Sequence, residues 1–205
     1  MHKRIWWILA LLIAVAGVVL AAVVIRTHRQ VVTQQPRISV ADKSNRQKMT
    51  IKQKDAFIRK ISGPAVKNFR QNRRVLPSVV IAQAILESQF GSSALYRLAK
   101  NPFGVKGRYH GQSMSFETRE VENGHSVKVM AAFRKYPNYQ SAIMDHNRLL
   151  HDKFVRRSNL LSYRTTTRLL QENGYATDPH YAHKLNHLIV KYRLSRYDLE
   201  ALNEN

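Results

Sequence analysis

The 205-residue chain contains no cysteine, which excludes a disulfide scaffold and a thiol nucleophile and is compatible with either side of a membrane. Acidic residues are scarce, with 13 Asp and Glu against 34 Lys and Arg, a formal net charge of +21. There is no glycine-rich phosphate loop among the 8 glycines and no Gly-x-Ser-x-Gly elbow, so neither nucleotide cradling nor serine-hydrolase chemistry has support. His180, His183 and His187 have the spacing to share one helix face. Lys184 stands where a zinc-protease motif requires glutamate, so they read as a basic helix face, and neither metal nor cofactor is expected. The basic excess favours a polyanionic partner such as anionic lipid or an anionic cell-wall polymer. No basic stretch is interleaved with aromatics in the manner of a nucleic-acid motif, and nucleic acid is not expected.

Charge is also missing from residues 5–25, a run long enough for about 30 Å of hydrocarbon at 1.5 Å per residue. Residues 1–29 therefore read as a single N-terminal transmembrane anchor, with Trp6 and Trp7 where an aromatic belt would lie. The competing reading is a cleaved signal segment, whose apolar region is normally shorter. Lys3 and Arg4 precede the run and Arg26 and Arg29 follow it, so charge barely decides the orientation. The short N-terminus makes N-in, C-out the simpler arrangement, with the domain outside the cytoplasm. Residues 30–53 are polar without a sustained apolar period and read as a tether. Residues 54–205 form the one folded domain expected.

Within that domain, Phe57, Ile58, Ile61, Ala65, Val66 and Phe69 recur at helical spacing, and Gly63-Pro64 suggests a break or kink in the stripe. Pro77 and Ser78 open a second helix that is apolar almost all round, the mark of a central buried helix. A short element spans about Ser93–Ala99. The alternating segments 113–121 and 126–134 flank Asn123-Gly124, a strong hairpin signal. On the first of them Met114, Phe116, Thr118 and Glu120 share one face, with Ser115, Glu117 and Arg119 on the other. Helices are expected over 138–150, 165–173 and 179–192, with a short element near Tyr197. The fold class is mainly α (α+β), one hairpin inserted in a helical domain.

Glu87 is the only carboxylate between Asp55 and Glu117, and it lies in that apolar central helix with Gln83 four residues before it on the same face. Burying a lone carboxylate costs several kcal/mol unless its pKa rises or a partner is provided. A raised carboxyl pKa is what a general acid near neutral pH requires. Glycosidic hydrolysis commonly adds a second carboxylate. Asp145, Asp152 and Glu172 fall among polar helix positions, where solvent-facing ion pairs are the default. Asp198, Glu200 and Glu204 belong to the C-terminal end. Asp178 precedes Pro179 at a helix start and reads as a cap. Glu120, on the Met114 and Phe116 face, is the best second carboxylate.

Several segments occur in order: Leu76-Pro-Ser, Ala82-Gln-Ala-Ile-Leu-Glu87-Ser-Gln-Phe-Gly91-x-Ser93, Asn101-Pro-Phe-Gly-Val-Lys106, Thr118-x-Glu120-x-x-Asn123-Gly124, Phe133-Arg-x-Tyr136-x-x-Tyr139, and Gly174-Tyr-Ala-Thr-Asp-Pro-x-Tyr181-Ala-x-Lys184-Leu185. Together they resemble the bacterial peptidoglycan β-N-acetylglucosaminidases of glycoside hydrolase family 73, which include the flagellar muralytic domain. The resemblance covers about residues 54–193. It implies a lysozyme-like helical domain with a small β-lobe across a cleft, acting on the N-acetylglucosaminyl-β-1,4-N-acetylmuramyl bond of peptidoglycan glycan strands. It further implies Glu87 as general acid, Glu120 as base or charge stabiliser, and Tyr181 as a catalytic-site tyrosine. Gln83, Phe90, Asn101, Phe103 and Tyr175 are the substrate-binding positions it suggests. Phe90 stands where the family usually has Trp, which retains an apolar wall but loses the indole donor. Pro102 is a milder departure. A monomer is expected. The rival readings are a lytic transglycosylase or muramidase cutting the other glycosidic bond, and a non-catalytic, membrane-tethered wall-binding module.

Overall fold

The structure, a computed structural model, describes residues 49–122 and 125–203, and for 119–122, 125 and 126 the backbone alone. The expected anchor and most of the tether lie outside the described residues, as do Asn123 and Gly124 of the expected turn. Among the described residues no helix is long and apolar enough to cross a membrane.

Helix α1 (Ile51–Asn72) begins with a capping box: Thr50 Oγ1 accepts from Gln53 N at 3.2 Å and Gln53 Oε1 accepts from Thr50 N at 2.8 Å. These two contacts satisfy donors the first turn would otherwise leave bare. Of the break or kink expected at Gly63-Pro64, the break does not occur: the helix runs continuously through Pro64. An internal proline costs about 3 kcal/mol, whereas each of the large apolar side chains buried on the stripe, including Ile61 and Phe69, contributes about 1.5–3 kcal/mol. Packing therefore wins.

Helix α2 (Pro77–Ser88) is the centre of the fold. Residues 77–85 and Ser88 are buried, and the helix packs on α1, α5, α6 and α7. Those partners are α5 (Tyr163–Glu172), α6 (Tyr181–Lys191) and α7 (Arg196–Leu202), preceded by α3 (Ala94–Ala99) and α4 (Tyr139–Leu150). A π-helical turn, His151–Val155, extends α4, a feature that apolar periodicity did not signal.

Strands β1 (Ser113–Glu122) and β2 (His125–Arg134) pair antiparallel from Ser113↔Arg134 to Glu122↔His125. The expected alternation holds along the described side chains. Met114, Phe116 and Ala131 pack on Leu95, Ala99 and Phe133, while Glu117 on the opposite face is exposed and pairs with Lys128 at 2.9 Å. The hairpin thus lies on α3 through one apolar face and is a lobe beside the helical core.

One acid departs from expectation, and a second has a buried role that its place near the C-terminal end did not suggest. Asp145 is 4% exposed, not solvent-facing: it receives Tyr136 Oη at 2.7 Å, Arg148 Nη2 at 3.0 Å and the Arg134 guanidinium. Burial alone would raise its pKa, but Tyr136, Arg134 and Arg148 together hold it below the ordinary aspartate value. Arg134 ends β2, so this cluster fastens the base of the hairpin to α4. Asp198 is buried as well and reaches across from α7 to accept Ser78 N at 2.8 Å. Helix α2 has no side-chain cap of its own at Leu76, and a carboxylate at a helix start complements the bare N–H groups and the dipole. Asp152 and Glu172 do sit at the surface, paired with His151 at 2.9 Å and Arg168 at 3.8 Å.

Candidate active site

Gln83 and Glu87 lie one helical turn apart on α2, and the first residue of α6, Tyr181, meets both. Tyr181 Oη donates to Glu87 Oε1 at 3.2 Å and accepts from Gln83 Nε2 at 3.0 Å. Gln83 is fully buried and Tyr181 nearly so, while Glu87 is half-buried. Burial pushes the Glu87 carboxyl up to about 7, against the Tyr181 hydrogen bond, which pulls the other way. Desolvation wins because the neutral phenol donor returns less than the water the carboxylate loses. Burial, then the nearby Glu87 charge, raises Tyr181 well above its ordinary value, so its hydroxyl keeps its proton. A carboxyl half-protonated near neutral pH, with one oxygen oriented by a phenol, is equipped to donate a proton.

The turn after Glu87 is built by Ser88. Its Oγ donates to Ala84 O at 2.6 Å and accepts from Gly91 N at 2.8 Å. Gln89, Phe90 and Gly91 all take positive φ (51°, 55° and 78°). At Gly91 a Cβ would sit 2.7 Å from Tyr96 Cε1 and 2.9 Å from Phe57 Cδ2, which accounts for glycine at this place in the motif.

Tyr181 is delivered by the 174–180 loop. Asp178 Oδ1 accepts His180 N at 2.9 Å and its other oxygen pairs with Lys184. The helix itself starts at Tyr181 with His180 at its N-cap position and no side-chain cap, so Asp178 closes the turn before α6 and does not cap the helix as expected. Glu120 lies on β1 opposite Val127; its side chain is outside the described residues.

Residues 63–194 match the glucosaminidase family, described as mannosyl-glycoprotein endo-β-N-acetylglucosaminidase. The chain belongs to this family. It is 40% identical over 155 residues to the exo-glucosaminidase LytG of Bacillus subtilis (strain 168), covering 72% of this chain and 55% of that protein. It is 36% identical over 195 residues to a probable N-acetylmuramidase of Lactococcus lactis subsp. lactis (strain IL1403), covering 89% and 42%. The chain thus spans about half the length of the curated relatives it matches. The crystal structure of the catalytic domain of the autolysin Auto from Listeria monocytogenes is similar at 34% identity and a TM-score of 0.66, covering 73% of this chain and 89% of that one.

The remaining predicted positions of this glucosaminidase domain fall in distinct places. Phe90 packs edge-on against Phe57 (5.9 Å) and Tyr192 (5.2 Å), with the Lys54 ammonium 5.4 Å above its ring. Asn101 is buried, and its amide binds Val105 O, Arg134 O and Val105 N at 2.9, 3.0 and 3.1 Å, pinning the 101–106 loop to the end of β2. Phe103 is fully buried and stacks on His146. Tyr175 is buried with its ring 5.4 Å from Tyr181. The structure therefore brings Gln83, Glu87, Tyr181 and Tyr175 together, makes Asn101 and Phe103 buried anchors of the 101–106 loop, and places Phe90 in an aromatic cluster with α1. Sequence reasoning passed over Ser88, Asp198 and His146. Ser88 had a signal, a small hydroxyl residue between the acid and the turn; the other two had none, because their partners are remote in sequence.

Proposed function

We propose that this chain is a cell-wall hydrolase cleaving the N-acetylglucosaminyl-β-1,4-N-acetylmuramyl bond of peptidoglycan. The observation that carries this reading is the half-buried Glu87 carboxyl, shifted to about 7 and held by Tyr181, within a chain of the glucosaminidase family. Protonated Glu87 donates its proton to the glycosidic oxygen as the bond from the anomeric carbon to that oxygen breaks. Water adds to the anomeric carbon. Its proton is taken by Glu120 acting as base; alternatively the substrate's acetamido oxygen first bonds the anomeric carbon, Glu120 stabilises the positive charge, and the water that then displaces that oxygen gives its proton to the Glu87 carboxylate. Tyr181 orients the acid, Gln83 and Tyr175 support Tyr181 from the buried side, and Asn101 and Phe103 shape the adjoining loop. Phe90 contributes an apolar wall.

The reading extends to place. Residues 1–29 hold the domain at the outer face of the cell membrane, and the +21 charge keeps it against anionic wall polymers by screened attraction. The domain acts as a monomer.

A second reading, cleavage of the other glycosidic bond, is favoured by the similarity to the Lactococcus protein named as a probable N-acetylmuramidase. Mass spectrometry of fragments released from purified peptidoglycan decides between them. Fragments with reducing-end N-acetylglucosamine are expected; reducing or 1,6-anhydro muramyl ends overturn the proposal in favour of the second reading. Binding without release of any fragment would leave only a wall-binding module.

A further inference from the structure

Behind the Tyr181–Glu87 pair lies a second buried polar contact. His146, on α4, is fully buried, and its ring lies face to face on Phe103 at 3.7 Å between centroids and 6° between planes. Its Nε2 is 3.1 Å from Tyr175 Oη. Nδ1 makes no well-formed hydrogen bond, although the Asn147 side chain and the Asp145 charge both act on the ring from α4 itself. Burial holds the imidazole down to about 3, so it is neutral wherever the domain functions. A neutral ring carries one N–H. Tyr175 Oη can accept that N–H or donate to a bare Nε2, so the contact holds in either tautomer.

Tyr175 in turn is wedged between two rings. It meets Phe154 edge-on at 5.1 Å and Tyr181 at 5.4 Å with 38° between planes. An imidazole in a fully buried position costs desolvation that an aliphatic side chain would not, and its contact with Tyr175 is the polar interaction that offsets it. We propose that His146 is a positioning residue for the acid: it fixes Tyr175, which holds the Tyr181 ring where its hydroxyl meets Glu87. The inference rests on the reading of Glu87 as proton donor. His146 acts only through the two tyrosines, of which Tyr181, from α6, is bonded to Glu87.

The test is the basic limb of kcat/KM against pH, measured on the full chain for His146→Phe, His146→Gln, Tyr175→Phe and Tyr181→Phe. His146→Phe keeps a flat ring over Phe103 and removes only the polar contact. Because the Tyr181 bond lowers the Glu87 pKa, loosening it moves the limb upward. Tyr181→Phe is expected to raise it by about half a pH unit, and His146→Phe and Tyr175→Phe to shift it in the same direction by a smaller amount. His146→Gln, whose amide can donate to or accept from Tyr175 Oη, restores the wild-type position. In the Tyr181→Phe background His146→Phe adds no further shift, as expected for residues acting on one contact. A limb unmoved in both His146→Phe and Tyr175→Phe, with only the melting temperature lowered, overturns the positioning role. So does a fully additive shift in the double variant. If His146→Phe does not fold, Tyr175→Phe and His146→Gln still test the contact: an unmoved limb in Tyr175→Phe then overturns the role. Activity retained in Glu87→Gln under the same assay would instead overturn the assignment of the acid.

Discussion

The Tyr181 hydroxyl donates to Glu87 Oε1 at 3.2 Å across a separation of 94 residues, and Gln83 Nε2 donates to that hydroxyl at 3.0 Å. The contact joins the end of α2 to the start of α6. It sets the acid's orientation and moderates a pKa that burial alone would push higher still.

Glycan cleavage is expected to fall with rising pH along a limb near 7, because the donor must be protonated and its carboxyl is shifted to about 7. Glu87→Gln should lose at least about 100-fold in rate at pH 6. Reducing-end release from purified sacculi measures both, and a limb lying near 4.5 would show that burial does not control this group.

The same shift carries a stability cost. The folded-state pKa of about 7 exceeds the ordinary 4.5, so the folded protein holds the proton more tightly than the unfolded chain. Stability is then greatest below about pH 4.5 with respect to this group and is lost as pH rises through about 7, by up to roughly 3 kcal/mol. Glu87→Gln removes that loss. Its melting temperature should exceed wild type at pH 8 and approach it at pH 5; calorimetry at the two values checks the sign.

Asp198 caps α2 from another helix by accepting Ser78 N at 2.8 Å. Asp198→Ala should cost about 1 kcal/mol, whereas Asp198→Asn keeps an acceptor and should cost less. Burial raises the Asp198 pKa despite the Ser78 contacts, which favours the neutral amide further. Urea unfolding of the two variants separates the cap from packing, and equal losses would count against it.

Gly91→Ala places a methyl group 2.7 Å from the Tyr96 ring and 2.9 Å from Phe57, at a φ of 78°. The loss should exceed about 1 kcal/mol. Because the strained turn directly follows the acid, kcat should fall with it. Chemical denaturation and steady-state kinetics on one preparation test both, and a fully stable Gly91→Ala would show that the aromatic pair can give way.

Much of the fold was legible along the chain. Apolar wrapping marked α2 as the central helix, and alternation from Met114 to Thr118 assigned the hairpin faces correctly, because both patterns are properties of contiguous residues. Glu87 stood out for a related reason: a carboxylate in an otherwise apolar helix is visible before any partner is known. The acids read as surface groups show the limit. Asp145 and Glu172 sit on helices with similar local patterns, yet the first is buried under Arg134 and Tyr136 and the second is exposed.

By itself the sequence determined most of the elements, the lone carboxylate in the central helix and the family segments in their order. Only tertiary structure decided which side chains meet: Tyr181 with Glu87, Asp198 with Ser78, His146 with Tyr175. Each pairing spans a separation that no local period encodes, 94, 120 and 29 residues respectively. The pKa of Glu87 belongs to the same category. A carboxyl's proton affinity is set by the solvent it loses and the donors it meets, and both exist only once the helices have closed around α2.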